Sequence, residues 1–126
     1  MIPSRKLTAR TPVNVKAQII SNGETYPGFI QNVSEDGIGY LIESVFEVYK
    51  DFAPQKMLQV NLRIPSGETL NLHCEIIWCS RKTPEDKSLT IGLKIINPPQ
   101  KYKKLAKKLK TDYVRKKRAA LYKKHD

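Results

Sequence analysis

At 126 residues, with 40% hydrophobic and 28% charged positions, the chain has room for one modest core and excludes a disordered or fibrous polymer. The net charge of +11 is unevenly placed: residues 1–100 hold 11 Lys/Arg against 10 Asp/Glu, whereas residues 101–126 hold 12 against 2. The high charge therefore belongs to a tail, which excludes reading the body of the protein as a generally polyanion-binding surface.

The chain opens on a basic arm, residues 1–12, carrying Arg5, Lys6 and Arg10 and expected to be flexible. Val13, Val15, Ala17 and Ile19 then alternate with Asn14, Lys16 and Gln18, the period-two pattern of a half-buried strand. Asn22-Gly23 is a strong hairpin signal. A second strand over 25–33 runs into the turn Asn32-Val33-Ser34-Glu35-Asp36-Gly37, and a third covers 38–42. Within 44–53, Val45, Val48, Tyr49 and Phe52 recur at three-to-four spacing and predict a short helix over one barrel end.

Alternation returns at Leu58, Val60, Leu62 and Ile64, and after the turn Pro65-Ser66-Gly67-Glu68 it continues through Leu70, Leu72, Cys74, Ile76 and Trp78. That phase assigns Trp78 to the core. A polar turn at 83–87 precedes Leu89, Ile91, Leu93 and Ile95, with Gly92 marking a bulge or a close approach. Six evenly spaced strands predict a mainly β fold, an antiparallel barrel over 13–97. Asn97-Pro98-Pro99 stops the last strand, and 98–126 reads as a basic helical segment whose stripe Tyr102, Leu105, Leu109 and Tyr113 docks on the barrel. Beyond Tyr113 the stripe weakens, so the last turns are expected to project or fray.

The chemistry-bearing residues are few. Arginine offers a planar fork for a phosphate or the O6/N7 edge of guanine. The Asn-x-Ser-x-x-Gly turn sets two short hydrogen-bonding side chains beside a glycine that admits a ligand close to the backbone. Cys74 and Cys79, five apart in one strand, are expected on opposite faces; with His73 they make a poor metal site, so no metal is expected. Neither His73 nor His125 has an evident partner, and no nucleophile–base pair, carboxylate pair or phosphate-loop glycine run is present in the sequence, so no enzymatic activity is expected. The absence of an 18-residue apolar run and of a signal-peptide stretch points to the cytoplasm. The lysine-rich tail reads equally as a solvated helix face and as a surface for an acidic protein, nucleic acid or an anionic membrane.

The order of arm, strand, turn and later strands resembles the PilZ domain, a family of bacterial receptors for cyclic di-GMP. The resemblance rests on Arg10-Thr11-Pro12-Val13 at the strand start, on Asn32, Ser34 and Gly37, and on the later strands around 70–78 and 91–95. It implies a six-stranded antiparallel PilZ-type barrel with a C-terminal helix, and a single-domain receptor or adaptor that needs no cofactor. Cyclic di-GMP, which often binds in this family as a stacked dimer, would be held by Arg5, Lys6, Arg10, Asn32, Ser34 and Gly37, with Trp78 and Gly92 as outlying candidates. Binding would order the arm over the barrel, and a protein partner would read the clamped state. The family usually has arginine four residues before Arg10, where this chain has Lys6. Either Arg5 reaches the ligand by a one-residue slip, or Lys6 binds phosphate as a point charge, or the site is weak or lost. In the last case the protein would act as a protein- or nucleic-acid-binding module through its basic helix.

Overall fold

Alternating apolar and polar residues build six strands whose inner faces meet in one core. In the computed structural model, residues 10–43, 52–81, 83 and 85–124 are described. The strands are β1 (Thr11–Ser21), β2 (Glu24–Val33), β3 (Gly37–Ile42), β4 (Met57–Arg63), β5 (Thr69–Ser80) and β6 (Leu89–Ile95), followed by the helix α1 (Gln100–Lys124). They close into an antiparallel barrel in the order β1-β2-β3-β6-β5-β4. Closure is narrow: β1 meets β4 only through Gln18–Asn61, Ile19–Val60 and Ile20–Gln59. Asn22 and Gly23, both at positive φ (51° and 78°), make the tight β1–β2 hairpin that right-handed strand twist favours.

Ile19, Ile30, Ile38, Ile42, Val60, Leu72, Ile76, Ile91, Leu93 and Ile95 fill the barrel, each removed almost wholly from water. Burial of each such side chain is worth about 1.5–3 kcal/mol. Tyr40 shares this interior because its hydroxyl donates to Ala17 O (2.8 Å) and Tyr26 O (3.3 Å), so the buried polar group is satisfied. Burial pushes its phenol well above the ordinary tyrosine range.

Three features depart from the sequence pattern. First, β1 begins at Thr11, two residues before the expected start, because Thr11 and Pro12 pair with Val33 and Asn32. Arg10 is thereby anchored at the mouth of a strand. Second, the register slips between Ile30 and Asn32 in β2 and between Ile76 and Trp78 in β5. Each slip is a β-bulge, placing two consecutive residues opposite one and turning both outward. Trp78 therefore leaves the core phase: it is 43% exposed, whereas Ile76 is fully buried. The same slip returns Cys79 to the inner side, where it packs against the core and its thiol donates to Phe52 O. The two thiols thus share a side instead of opposing each other, and burial pushes the Cys74 thiol up to about 12. Third, the helix expected over 44–53 falls outside the described residues except for its end, where Phe52 is buried edge-to-face on Tyr26 at 4.9 Å.

The α1 helix docks through its first half. Tyr102 and Ala106 are buried, and Leu105 and Leu109 pack against the core. Among the described residues no helix is long and apolar enough to cross a membrane.

Candidate functional site

The two bulges flank a pair of glycines, and together they make a flat strip on the outer face of the barrel. Asn32 of β2 pairs with Gly39 of β3, Gly39 with Gly92 of β6, and Gly92 with Trp78 of β5. Four strands at about 4.8 Å spacing make this row about 14 Å long. Its two central positions carry no side chain, and the end residues lean over them. A Cβ at Gly39 would lie 2.5 Å from Asn32 Nδ2, and a Cβ at Gly92 would lie 2.1 Å from Trp78 Nε1. The glycines are there for close approach: the amide and the indole occupy the space that other residues would fill.

Above the Asn32 end sits Arg10. Its Nη1 donates to Asn32 Oδ1 at 2.8 Å. A Cβ at Gly37 would meet Ser34 Oγ at 3.0 Å and Arg10 Nη2 at 3.1 Å, so glycine here keeps room for the guanidinium. Arg10, Asn32, Ser34 and Gly37, separated by up to 27 residues in sequence, are thus in mutual reach. Arg10 remains exposed and Ser34 is buried, so the arginine fork faces solvent over a polar floor.

The turn is held from behind. Ser34 N donates to Gly37 O at 2.9 Å, closing it locally. Tyr102, on the first turn of α1 and 1% exposed, donates its hydroxyl to Ser34 O (2.7 Å) and lies 3.1 Å from Gly37 O. Burial raises its phenol well above the ordinary range, so it stays a neutral donor. The helix is in this way tied by one buried hydroxyl to the backbone that positions Ser34.

Of the residues expected at the site, the structure brings together Arg10, Asn32, Ser34 and Gly37. It lines up Asn32 with Gly92 and Trp78 along the strip. Arg5 and Lys6 lie outside the described residues. Gly39 and Tyr102 were missed as members. Gly39 had a signal, since Gly37 and Gly39 two apart share a strand face and leave it bare. Tyr102 reads in sequence only as part of a docking stripe, and its hydroxyl's destination is 68 residues away. Among the described residues no three His, Cys, Asp or Glu side chains gather to hold a metal ion.

Residues 4–110 match the family model of the PilZ domain, so the match spans the barrel and half of α1. The chain belongs to the PilZ domain family. A comparison with curated protein sequences yields no match. Solved structures share the fold. The PilZ domain of Escherichia coli YcgR, solved with c-di-GMP, superposes with a TM-score of 0.69 at 12% identity, over 94% of this chain and 98% of that one. The Bacillus subtilis inhibitor of motility, MotI/DgrA, gives 0.65 at 16% identity, over 90% of this chain and 51% of that one. The PilZ domain of CeSA from a cellulose-synthesizing bacterium gives 0.55 at 12%, over 83% and 97%. This PilZ domain spans about half the length of MotI/DgrA and matches isolated PilZ domains almost end to end.

Proposed function

We propose that this PilZ domain is a non-enzymatic receptor for cyclic di-GMP, gripping the nucleotide between its N-terminal arm and the outer strip of the barrel. The observation that carries the reading is the convergence of Arg10, Asn32, Ser34 and Gly37, with the Arg10 guanidinium held 2.8 Å from the Asn32 amide oxygen. Two fold relatives, the PilZ domain of YcgR and YcgR itself, were solved with c-di-GMP. In this reading Arg10, with Arg5 or Lys6 from the arm, takes phosphate and the acceptor edge of guanine. Asn32 and Ser34 hydrogen-bond the base, and the Trp78 indole, lying over Gly92, offers a ring face for a base to stack on. Arm ordering over residues 1–12 is the signal, a protein partner reads it, and the setting is the bacterial cytoplasm.

Titration calorimetry with cyclic di-GMP tests the reading. Saturable binding is expected, weakened about hundred-fold or more by Arg10→Ala, since a charge contact enclosed by the bound nucleotide is removed. Lys6→Arg is expected to tighten it by restoring a fork. Saturable binding that survives Arg10→Ala unchanged would remove Arg10 from the site. A second reading has its own observation: residues 114–121 of α1 are all exposed and carry Arg115, Lys116, Lys117 and Arg118. A sequence-independent duplex bound only at low salt, and lost on deletion of 114–126, would favour a nucleic-acid-binding module.

A further inference from the structure

A cavity of about 560 Å³ opens between the Ser34 turn and the first half of α1. One wall is Thr11, Val33, Ser34 and Glu35; the facing wall is a helix stripe of Lys103, Ala106, Lys107 and Lys110, with Gln100 and Lys104 at its margins. Positions three, four and seven apart lie on one helix face, the stripe that an amphipathic helix normally keeps apolar when it faces a core. Here three of its four members are exposed lysines and the fourth, Ala106, is buried against the barrel, so the stripe lies at the edge of the docked face.

The charge in this cleft is uncompensated. Four lysines meet one acid, Glu35, and among the described residues none of the four makes an ion pair; the helix's ion pair joins Lys101 to Glu68 instead. Lys103 sits in the first turn of α1, which contains no acid, where the helix dipole already favours an anion. An anion would satisfy both. On the opposite wall the two hydroxyl residues, Thr11 and Ser34, are 5% and 6% exposed, built into the fold and not loosely solvated. Lysine ammonium groups across a cleft from a serine–threonine wall suit phosphate oxygens. Aromatic rings are absent from this lining, so the cleft offers a base nothing to stack on. The chain's own arm, carrying Arg5 and Lys6, has the wrong charge to fill it.

We propose that this cleft is a phosphate subsite, in which Lys103 and Lys107 hold a phosphodiester of the nucleotide from the helix side, with Ser34 shared between the subsite and the Arg10–Asn32 face. The assignment to a nucleotide phosphate rests on the cyclic di-GMP reading above. It gives this chain a second cationic grip where its arm has Lys6 in place of an arginine fork. Lys104 and Lys110 supply field more than contact, being at the cleft margins and one turn further on.

The test has two arms. In the first, inorganic pyrophosphate is titrated against the full chain and followed by amide chemical shifts. Residues 33–35 and 103–107 are expected to move, and Lys103→Gln/Lys107→Gln to abolish the movement; no perturbation there in the wild type overturns the subsite. In the second, cyclic di-GMP is titrated against the same pair of variants. Affinity is expected to fall about ten-fold, two exposed charge contacts being lost, with the effect vanishing at high salt. Lys116→Gln/Lys117→Gln, which removes the same charge further along α1, is expected to leave affinity unchanged. Equal losses in the two double variants overturn the proposal in favour of bulk electrostatics, and no loss in either overturns the nucleotide assignment. Pyrophosphate binding without any cyclic di-GMP binding retains the cleft as a phosphate site and refutes the receptor reading alone. A thermal melt of each variant, expected to match wild type because all four lysines are exposed, excludes misfolding as the cause.

Discussion

The two halves of α1 are chemically alike and structurally opposite. Residues 100–113 and 114–124 are both rich in lysine, and both belong to one unbroken helix about 38 Å long. Yet the first half buries Tyr102 and Ala106 and packs Leu105 and Leu109 on the barrel, whereas in the second Val114 and Leu121 are 38% and 58% exposed. Where the halves meet, Lys117 turns back over the Tyr113 ring at 5.2 Å. The difference teaches that charge density does not mark a site on this protein. What separates the halves is convergence: Lys103, Lys107 and Lys110 of the first half line a cavity against a structured turn, whereas Lys116 of the second stands exposed.

The comparison breaks most severely at its anchor. Tyr102→Ala removes a buried ring and its hydroxyl together and is expected to cost about 3–5 kcal/mol in chemical denaturation. A loss below about 1 kcal/mol would mean the first half of α1 is no better docked than the second. Tyr102→Phe keeps the ring and leaves Ser34 O without its donor, an expected cost of about 1–3 kcal/mol. Under the receptor reading this variant also weakens cyclic di-GMP binding while far-UV circular dichroism stays unchanged.

Milder changes sharpen the same contrast. Gly92→Val drives a side chain into the Trp78 indole and is expected to swing it off the strip at about 1–2 kcal/mol, seen as a red-shifted tryptophan emission. Deleting residues 114–126 is expected to shift barrel stability by no more than about 0.5 kcal/mol; a cooperative loss of the fold would contradict the exposed half's independence.

The smallest effect concerns Lys101 and Glu68, both exposed. A hydrogen bond and the charge of Lys101 hold the Glu68 carboxyl below its ordinary value. A carboxylate depressed in the folded state contributes stability that is present above its unfolded value and lost as pH falls through the folded one. Lys101→Met is therefore expected to flatten slightly the fall in melting temperature between roughly pH 5 and pH 3. An unchanged slope would show that the contact contributes nothing in solution.

Much of the fold is legible in the amino-acid sequence. Alternation places all six strands to within about two residues, because inner and outer faces of a barrel impose period two on every strand. The absence of Gly and Pro after residue 99 places α1. The Arg10 and Asn32–Gly37 motifs are readable because arginine, asparagine, serine and glycine each bring a distinct chemistry. Trp78 and Cys79 are misassigned by alternation for one reason: a bulge inserts a residue into the count, and every later side chain in the strand changes face. Such a slip has no local signature in Ile76-Ile77-Trp78-Cys79, where all four residues suit a core.

By itself the sequence determined the fold class, the family and the chemistry available, since hydrophobic period and turn chemistry are local properties. Only the tertiary structure decided which distant groups share a surface. It set Asn32, Gly39, Gly92 and Trp78 in one row, sent the Tyr102 hydroxyl to Ser34, and brought a stripe of lysines to a cleft lined by Thr11 and Ser34. The reason is that register, bulges and helix docking are set by packing the whole barrel at once, and no short window of sequence contains that information.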